Sequence, residues 1–320
     1  GEVAQKVADA LNAKLTRNEQ QNVVAIPTHN PQAWDAFLQA ESLAFKAKDS
    51  QQQPDYLIAD AAYGHAIALD PHFALAYAQR VVNRMNGHWF ALRLSAPELA
   101  HVKASADRAL TLAPDLPEAH LALGDYYYWG FRNYHEAVPQ FQRALQLAPN
   151  SLSAIAGLAF IDRRTGQFEQ ALTALKKAVS LAPRDRVVLA EYGVTYEILR
   201  DYPQAVQQLS RSLAVDPAYT DGRDFLVRAH LFGTGDVRAA RTVMQLQQGW
   251  LFASENNRAG DLFNLVNPRA YPDLFDRHFD AALTDWDSAP TDTAEEHLTQ
   301  RAARVAIQVI AGRQATIQPE

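Results

Sequence analysis

Five related pentapeptides recur along the chain, and each of them ends in proline. They occupy residues 67–71, 110–114, 145–149, 179–183 and 213–217, so that successive prolines are separated by 43, 35, 34 and 34 residues. Proline has no backbone N–H and clashes with the preceding helical turn, so a proline after an apolar-periodic run ends a helix. The recurrence at a fixed phase predicts an array of similar helical units.

Each period contains two apolar runs at helical spacing, with a turn between them. In the fourth period these runs include Ile155, Leu158 and Ala159, then Ala171, Leu175 and Ala178. The pattern resembles the tetratricopeptide repeat, in which 34 residues form two packed helices. The resemblance implies an all-α fold, a right-handed superhelical solenoid of about six helix pairs with a helical C-terminal cap.

Small residues are expected where the two helices of a pair approach each other. Gly124, Ala159 and Gly193 occupy the same position of successive repeats. Paired helices lie about 8–10 Å apart, which leaves no room for a large side chain at such a position. Larger residues such as Tyr127 and Phe141 are expected to fill the gaps between neighbouring repeats.

The outer parts of the chain deviate from this period. We expect a helical lead-in over residues 1–29, a repeat array over residues 30–250 and a helical cap over residues 251–320, with cap helices at 261–266, 271–286 and 293–312. The first repeat contains a polar insertion at residues 46–55. The second contains a longer turn at residues 86–90, followed by a capping box at Ser95 and Glu98. Gly233 and Gly235 indicate the turn inside the sixth repeat, where Asp236 can cap the next helix.

The composition excludes several classes of function. The chain has 30 basic and 36 acidic residues, and this mildly acidic balance argues against direct nucleic-acid contact, which requires a basic surface. It has no cysteine, which excludes thiolate metal sites, and no apolar run long enough for membrane insertion. None of the ten histidines belongs to a metal-binding motif, and neither a phosphate loop nor a nucleophile elbow is present. We therefore expect no enzymatic activity, no catalytic residue, no metal and no cofactor.

The N-terminal region resembles a junction found in large bacterial signalling proteins. Residues 2–15 and 27–40 match the segment that leads into a tetratricopeptide repeat array after a winged-helix domain, a nucleotide cyclase or a protein kinase. The resemblance implies that this sequence is a segment of a longer regulator whose effector lies outside it. It favours the periplasmic side of a bacterial inner membrane, with the cytoplasm as the alternative.

The first helix of each pair is expected to carry a binding surface. Positions 2, 5, 9, 12 and 13 of a repeat lie on the side of that helix turned away from its partner, facing a groove. The residues at these positions that we expect to bind are Asp125, Tyr128, Trp129, Phe160, Arg163, Arg164, Glu197, Arg228 and Phe232. Aromatic and arginine side chains dominate the binding energy of many protein interfaces. Ordinary packing between repeats stays open as an alternative role for them.

These features favour a non-enzymatic module that binds a peptide or helix of a partner protein in its groove, as the sensory or scaffold part of a regulator. Homo-oligomerisation through Trp250, Phe252, Phe263 and Phe275 is a second hypothesis, and a small-molecule sensor within the superhelix is a third. Oligomerisation would bring two effector domains together. The residues do not identify the ligand.

Overall fold

The computed structural model describes residues 27–244 and 277–287, together with the isolated residues 304, 307, 308 and 311. In those residues the regular structure is entirely helical: α1 (Pro31–Ser50), α2 (Gln53–Leu69), α3 (Ala74–Gly87), α4 (Ala96–Leu112), α5 (Pro117–Phe131), α6 (Tyr134–Leu147), α7 (Leu152–Arg164), α8 (Phe168–Leu181), α9 (Arg186–Ile198), α10 (Tyr202–Val215), α11 (Thr220–Thr234), α12 (Val237–Met244) and α13 (Phe279–Asp287). No helix in this part of the chain combines the length and the apolar character needed to cross a membrane.

The order of helices α1 to α12 is that of six successive pairs, which confirms the prediction of an all-α repeat fold. The prolines of the pentapeptides follow the last residue of the second helix, as α2 and Pro71 show. The predicted helices over residues 2–15 and 261–266 lie outside the described residues, and the predicted helix over residues 293–312 is described only at residues 304, 307, 308 and 311. The predicted segment 271–286 overlaps α13.

The chain divides into two compact units, residues 1–174 and residues 175–320, and the division falls within α8. In unit 1 each helix from α1 to α6 packs against the next one along the chain. The first helices of successive pairs, namely α1, α3, α5 and α7, also pack against one another in that order. Side chains on these four helices therefore come together although they lie far apart in the sequence.

Two glycines allow a phenylalanine to fill the space between the helices of unit 1. A Cβ atom on Gly124 of α5 would lie 2.6 Å from Cε1 of Phe141, and one on Gly157 of α7 would lie 2.8 Å from its Cζ. Phe141, on α6, is completely buried between them. The expectation that Gly124 marks a close helix contact is therefore confirmed, and the phenylalanine is what occupies the space.

The two sequence insertions form helix rather than loop. The polar segment 46–55 lengthens α1 to 20 residues, and the chain reverses at Gln51, whose φ of 53° is left-handed. The turn expected at residues 86–90 is wrong: α3 continues to Gly87 and a π-helical turn follows at His88–Leu92. The predicted capping box is confirmed, since the Glu98 carboxylate accepts from the backbone N of Ser95 at 2.8 Å.

Unit 2 repeats the same arrangement over helices α9 to α12. A Cβ atom on Gly193 would lie 2.6 Å from Cγ of Leu209, so this glycine also marks a close contact between paired helices. The turn after α11 contains Gly235 in the left-handed region, with φ of 67°. Asp236 then accepts from the backbone N of Ala239 at 2.9 Å, as its predicted role as a cap requires.

Candidate functional site

Asp125 and Trp129 lie one turn apart on α5 and are joined by a hydrogen bond. The indole Nε1 of Trp129 donates to Oδ1 of Asp125 at 3.2 Å. Burial raises the pKa of Asp125 to about 7, an effect that this hydrogen bond and the charge of Lys48 oppose in part. The indole is half-buried. Because the two residues lie one helical turn apart, the Asp125 carboxyl group holds the half-buried indole of Trp129 in place.

Trp129 is the centre of an aromatic group that connects the turn after α3 with α5 and α7. Its ring centroid lies 4.4 Å from that of Tyr128, 4.7 Å from that of Trp89 and 6.3 Å from that of Phe160. Trp89 belongs to the π-helical turn after α3, and Phe160 belongs to α7. Trp89, Trp129 and Phe160 are each partly exposed, so the group presents aromatic surface to solvent.

Three arginines stack on these rings. The guanidinium of Arg164 lies 5.4 Å from the ring centre of Trp89 and 5.7 Å from that of Tyr128, and its Nε donates to the Tyr128 hydroxyl at 2.8 Å. The guanidinium of Arg132 also lies over Trp89, at 5.7 Å. That of Arg163 lies 5.3 Å from the ring of Phe160. Such cation–π contacts contribute about 0.5–1 kcal/mol each at exposed positions and restrict the arginine rotamers.

We call this group the tryptophan–arginine cluster; its members are Trp89, Asp125, Tyr128, Trp129, Arg132, Phe160, Arg163 and Arg164. Six of them were expected from the sequence to face a groove, and the contacts above bring all six together within unit 1. Within the described residues, no group of at least three His, Cys, Asp or Glu side chains is arranged to hold a metal ion.

Tyr128 has a different role from the one expected. It was placed on the binding surface, but only 2% of it is exposed, because its ring packs among α5, α6 and α7 with Phe141 and Ile161. Tyr127, expected to be the packing residue, is half-buried. Tyr128 therefore contributes to the surface indirectly, by accepting a hydrogen bond from Arg164 and supporting its guanidinium.

The repeat pattern does not predict that Trp89 and Arg132 belong to the cluster. Trp89 lies in the insertion of the second repeat, which breaks the 34-residue period, so the period does not assign it a position. Arg132 is the C-cap of α5 with a left-handed φ of 51°, outside the helix on which positions were assigned. The one available signal was local: both residues lie next to aromatic residues at the end of a first helix.

The expected binding residues of unit 2 form an ion pair and an exposed ring. Arg228 donates from Nη2 and Nε to Oε1 of Glu197 at 2.8 and 3.0 Å. Burial raises the pKa of Glu197, although Arg228 opposes this shift, and burial raises the pKa of Asp224 to about 8. Phe232 is 38% exposed. Arg228 already has a carboxylate partner, which distinguishes it from Arg132 and Arg164.

Comparisons with known proteins agree with this architecture. Residues 128–190 match the tetratricopeptide repeat family. Superkiller protein 3 of Schizosaccharomyces pombe is 34% identical over 84 residues, which are 26% of this chain and 6% of that protein. The chain thus matches only a small part of this relative's length.

Two solved structures share the fold over most of the chain. The Cut9–Hcn1 hetero-tetramer of the APC/C has a TM-score of 0.60 and 16% identity, covering 81% of this chain and 47% of that one. PilW, a type IV pilus biogenesis factor, has a TM-score of 0.51 and 20% identity, covering 68% of this chain and 93% of that one. At such low identity these likenesses show the fold alone, which is that of tetratricopeptide repeat proteins.

Proposed function

We propose that this chain is a non-enzymatic protein–protein interaction module that binds a peptide or helix of a partner protein on the tryptophan–arginine cluster. The observation that carries the proposal is the partly exposed aromatic surface of Trp89, Trp129 and Phe160, which come from three different elements of unit 1. Clustered exposed aromatic rings cost solvation free energy in the free protein, and such patches usually mark an interaction site.

The residue types in the cluster support a protein partner. Tryptophan and arginine are enriched among the residues that dominate interface energies, and a ring offers a large contact area with few rotatable bonds. The arginines are held against the rings before any partner binds, so little side-chain entropy is lost on binding. The tetratricopeptide repeat fold is consistent with this role, since stacked repeats present extended surfaces that bind other proteins.

The wider context of the module follows from the resemblance of residues 2–15 and 27–40 to the junction in bacterial signalling proteins. In that context the chain is the sensory or scaffold part of a regulator, on the periplasmic side of the inner membrane. The aromatic residues on which homo-oligomerisation would depend, Trp250, Phe252, Phe263 and Phe275, lie outside the described residues.

A peptide-display selection tests the proposed function. The chain is immobilised and a random twelve-residue library is enriched on it; the affinities of the enriched peptides are then measured by fluorescence polarisation. We expect Trp129→Ala with Phe160→Ala to weaken binding at least ten-fold, because both rings lose their contact area. Phe45→Ala is the matched control, since Phe45 on α1 is 76% exposed and lies outside the cluster.

Circular dichroism and thermal melting establish that each variant is folded. A selection that enriches no peptide would refute the proposed function. Peptides that bind wild type and the double variant with equal affinity would refute this location for it.

A further inference from the structure

Two guanidinium groups of the tryptophan–arginine cluster share one aromatic ring. Arg132, at the C-cap of α5, and Arg164, the last residue of α7, both lie over Trp89, at 5.7 and 5.4 Å from its centre. Both arginines are exposed. Two positive charges therefore lie close to the same ring, on a surface that also carries Arg163.

Neither of these two guanidinium groups pairs with a carboxylate anywhere in the described residues. Other arginines of unit 1 do have such partners: Arg80 contacts Asp60 at 2.8 Å, and Arg143 contacts Asp115 at 2.7 Å. The acidic member of the cluster, Asp125, accepts a hydrogen bond from the Trp129 indole. The whole chain has a net charge of −6, whereas these two arginines without carboxylate partners form a locally positive site.

The geometry leaves donors of both arginines for a ligand. Stacking on a ring uses the face of a guanidinium, while its N–H groups lie in the plane and point outward. Arg164 uses Nε for the Tyr128 hydroxyl, so its two Nη groups have no hydrogen bond within the described residues. Two planar forks fixed in this way match the two oxygens of a carboxylate.

We infer that the partner segment is acidic: an aspartate or glutamate side chain binds to Arg132 and Arg164 over Trp89, and an apolar side chain next to it packs on Trp129 and Phe160. This inference rests on the proposed function and adds the chemistry of the partner. A carboxylate neutralises the repulsion between the two guanidinium groups, which a neutral or basic segment cannot do. Coulomb attraction between partly exposed charges is screened by salt, so binding weakens at high ionic strength.

The enriched peptides of the selection provide the probe for this inference. We expect an excess of Asp and Glu over the starting library. The peptide of highest affinity is then prepared with each acidic residue replaced by its amide, Asn or Gln. One such replacement should weaken binding about ten-fold, the value for a charge-assisted hydrogen bond that is partly exposed to solvent.

The matching protein variants are Arg132→Gln and Arg164→Gln, each of which removes one charge but keeps a long polar side chain. We expect each variant to bind the acidic peptide with about ten-fold lower affinity and to bind the amide-substituted peptide with the same affinity as the wild type. Arg143→Gln is the control: it removes one charge from the same unit at a surface ion pair outside the cluster. Melting curves confirm that the variants are folded.

The outcomes separate the two proposals. Peptides without acidic residues that bind at the rings, and whose affinity Arg132→Gln and Arg164→Gln leave unchanged, would overturn this inference while the proposed function stands. An equal loss with Arg143→Gln would reduce the effect to net charge and would also overturn it. A selection that enriches no peptide would overturn both.

Discussion

Replacing Gly124 by alanine tests the packing that positions the tryptophan–arginine cluster. The new methyl group would lie 2.6 Å from Cε1 and 2.7 Å from Cδ1 of Phe141, well inside van der Waals contact. The ring cannot move toward α7, because it already lies close to the backbone of Gly157 there. Overpacking a rigid core site costs about 1–3 kcal/mol, and alanine recovers up to about 1 kcal/mol of helix propensity over glycine. We expect a net loss of about 1–2 kcal/mol in the free energy of unfolding.

The control for this variant is Gly64→Ala in the interior of α2. A Cβ atom there would meet the Arg80 guanidinium at 3.7 Å, an ordinary contact with a flexible side chain. Helix propensity then acts alone, and the variant should gain about 0.5–1 kcal/mol. Urea denaturation followed by circular dichroism measures both. If Gly124→Ala is as stable as Gly64→Ala, the close contact with Phe141 does not exist and the placement of α5 against α6 is wrong.

Three further predictions concern charged and capping groups. Burial raises the pKa of Asp224 to about 8, so the folded state holds this proton more tightly than the unfolded state does, and stability falls as the pH rises from about 4 to about 8. The melting temperature of Asp224→Asn should therefore fall less over this pH range than that of the wild type. Parallel pH profiles of the two melting temperatures would contradict this. Arg228→Ala should lower the free energy of unfolding by about 2–4 kcal/mol, because it leaves the buried Glu197 carboxylate unpaired. Glu197→Gln leaves no such charge and should cost less; equal losses of the two variants in urea denaturation would speak against this. Ser95→Ala should cost about 1 kcal/mol by removal of the capping box with Glu98, and an unchanged melting temperature would exclude that role.

The repeat period predicted the helix pairs because proline and small residues have local and obligatory causes. A proline at a fixed phase ends a helix whatever surrounds it, and Gly124 or Gly193 is required wherever two helix backbones approach closely. These constraints do not depend on the details of distant contacts. They specify which helices pair, and the structure agrees within each unit.

The candidate site was predicted less completely, for a physical reason. Each helical residue turns the side chain by about 100°, so four consecutive aromatic residues at 126–129 point in different directions and a small error in phase exchanges surface for core. The prediction for Tyr128 shows such an error: Tyr128 is buried, whereas its neighbour Trp129 is half-buried. Trp89 and Arg132 lie on a π-helical turn and a helix cap, which the 34-residue period does not predict.

The position of a bound peptide is tested most directly by the tryptophan indole resonances in two-dimensional ¹H–¹⁵N NMR spectra, recorded while the enriched acidic peptide is added. Trp129 and Trp89 belong to the cluster, whereas Trp34 packs against Phe37 and Phe73 in the first repeat and serves as the internal reference. Binding at the cluster predicts that the indole N–H resonances of Trp89 and Trp129 shift in a saturable manner while that of Trp34 stays in place. Saturable binding with both cluster resonances unmoved would contradict the central claim.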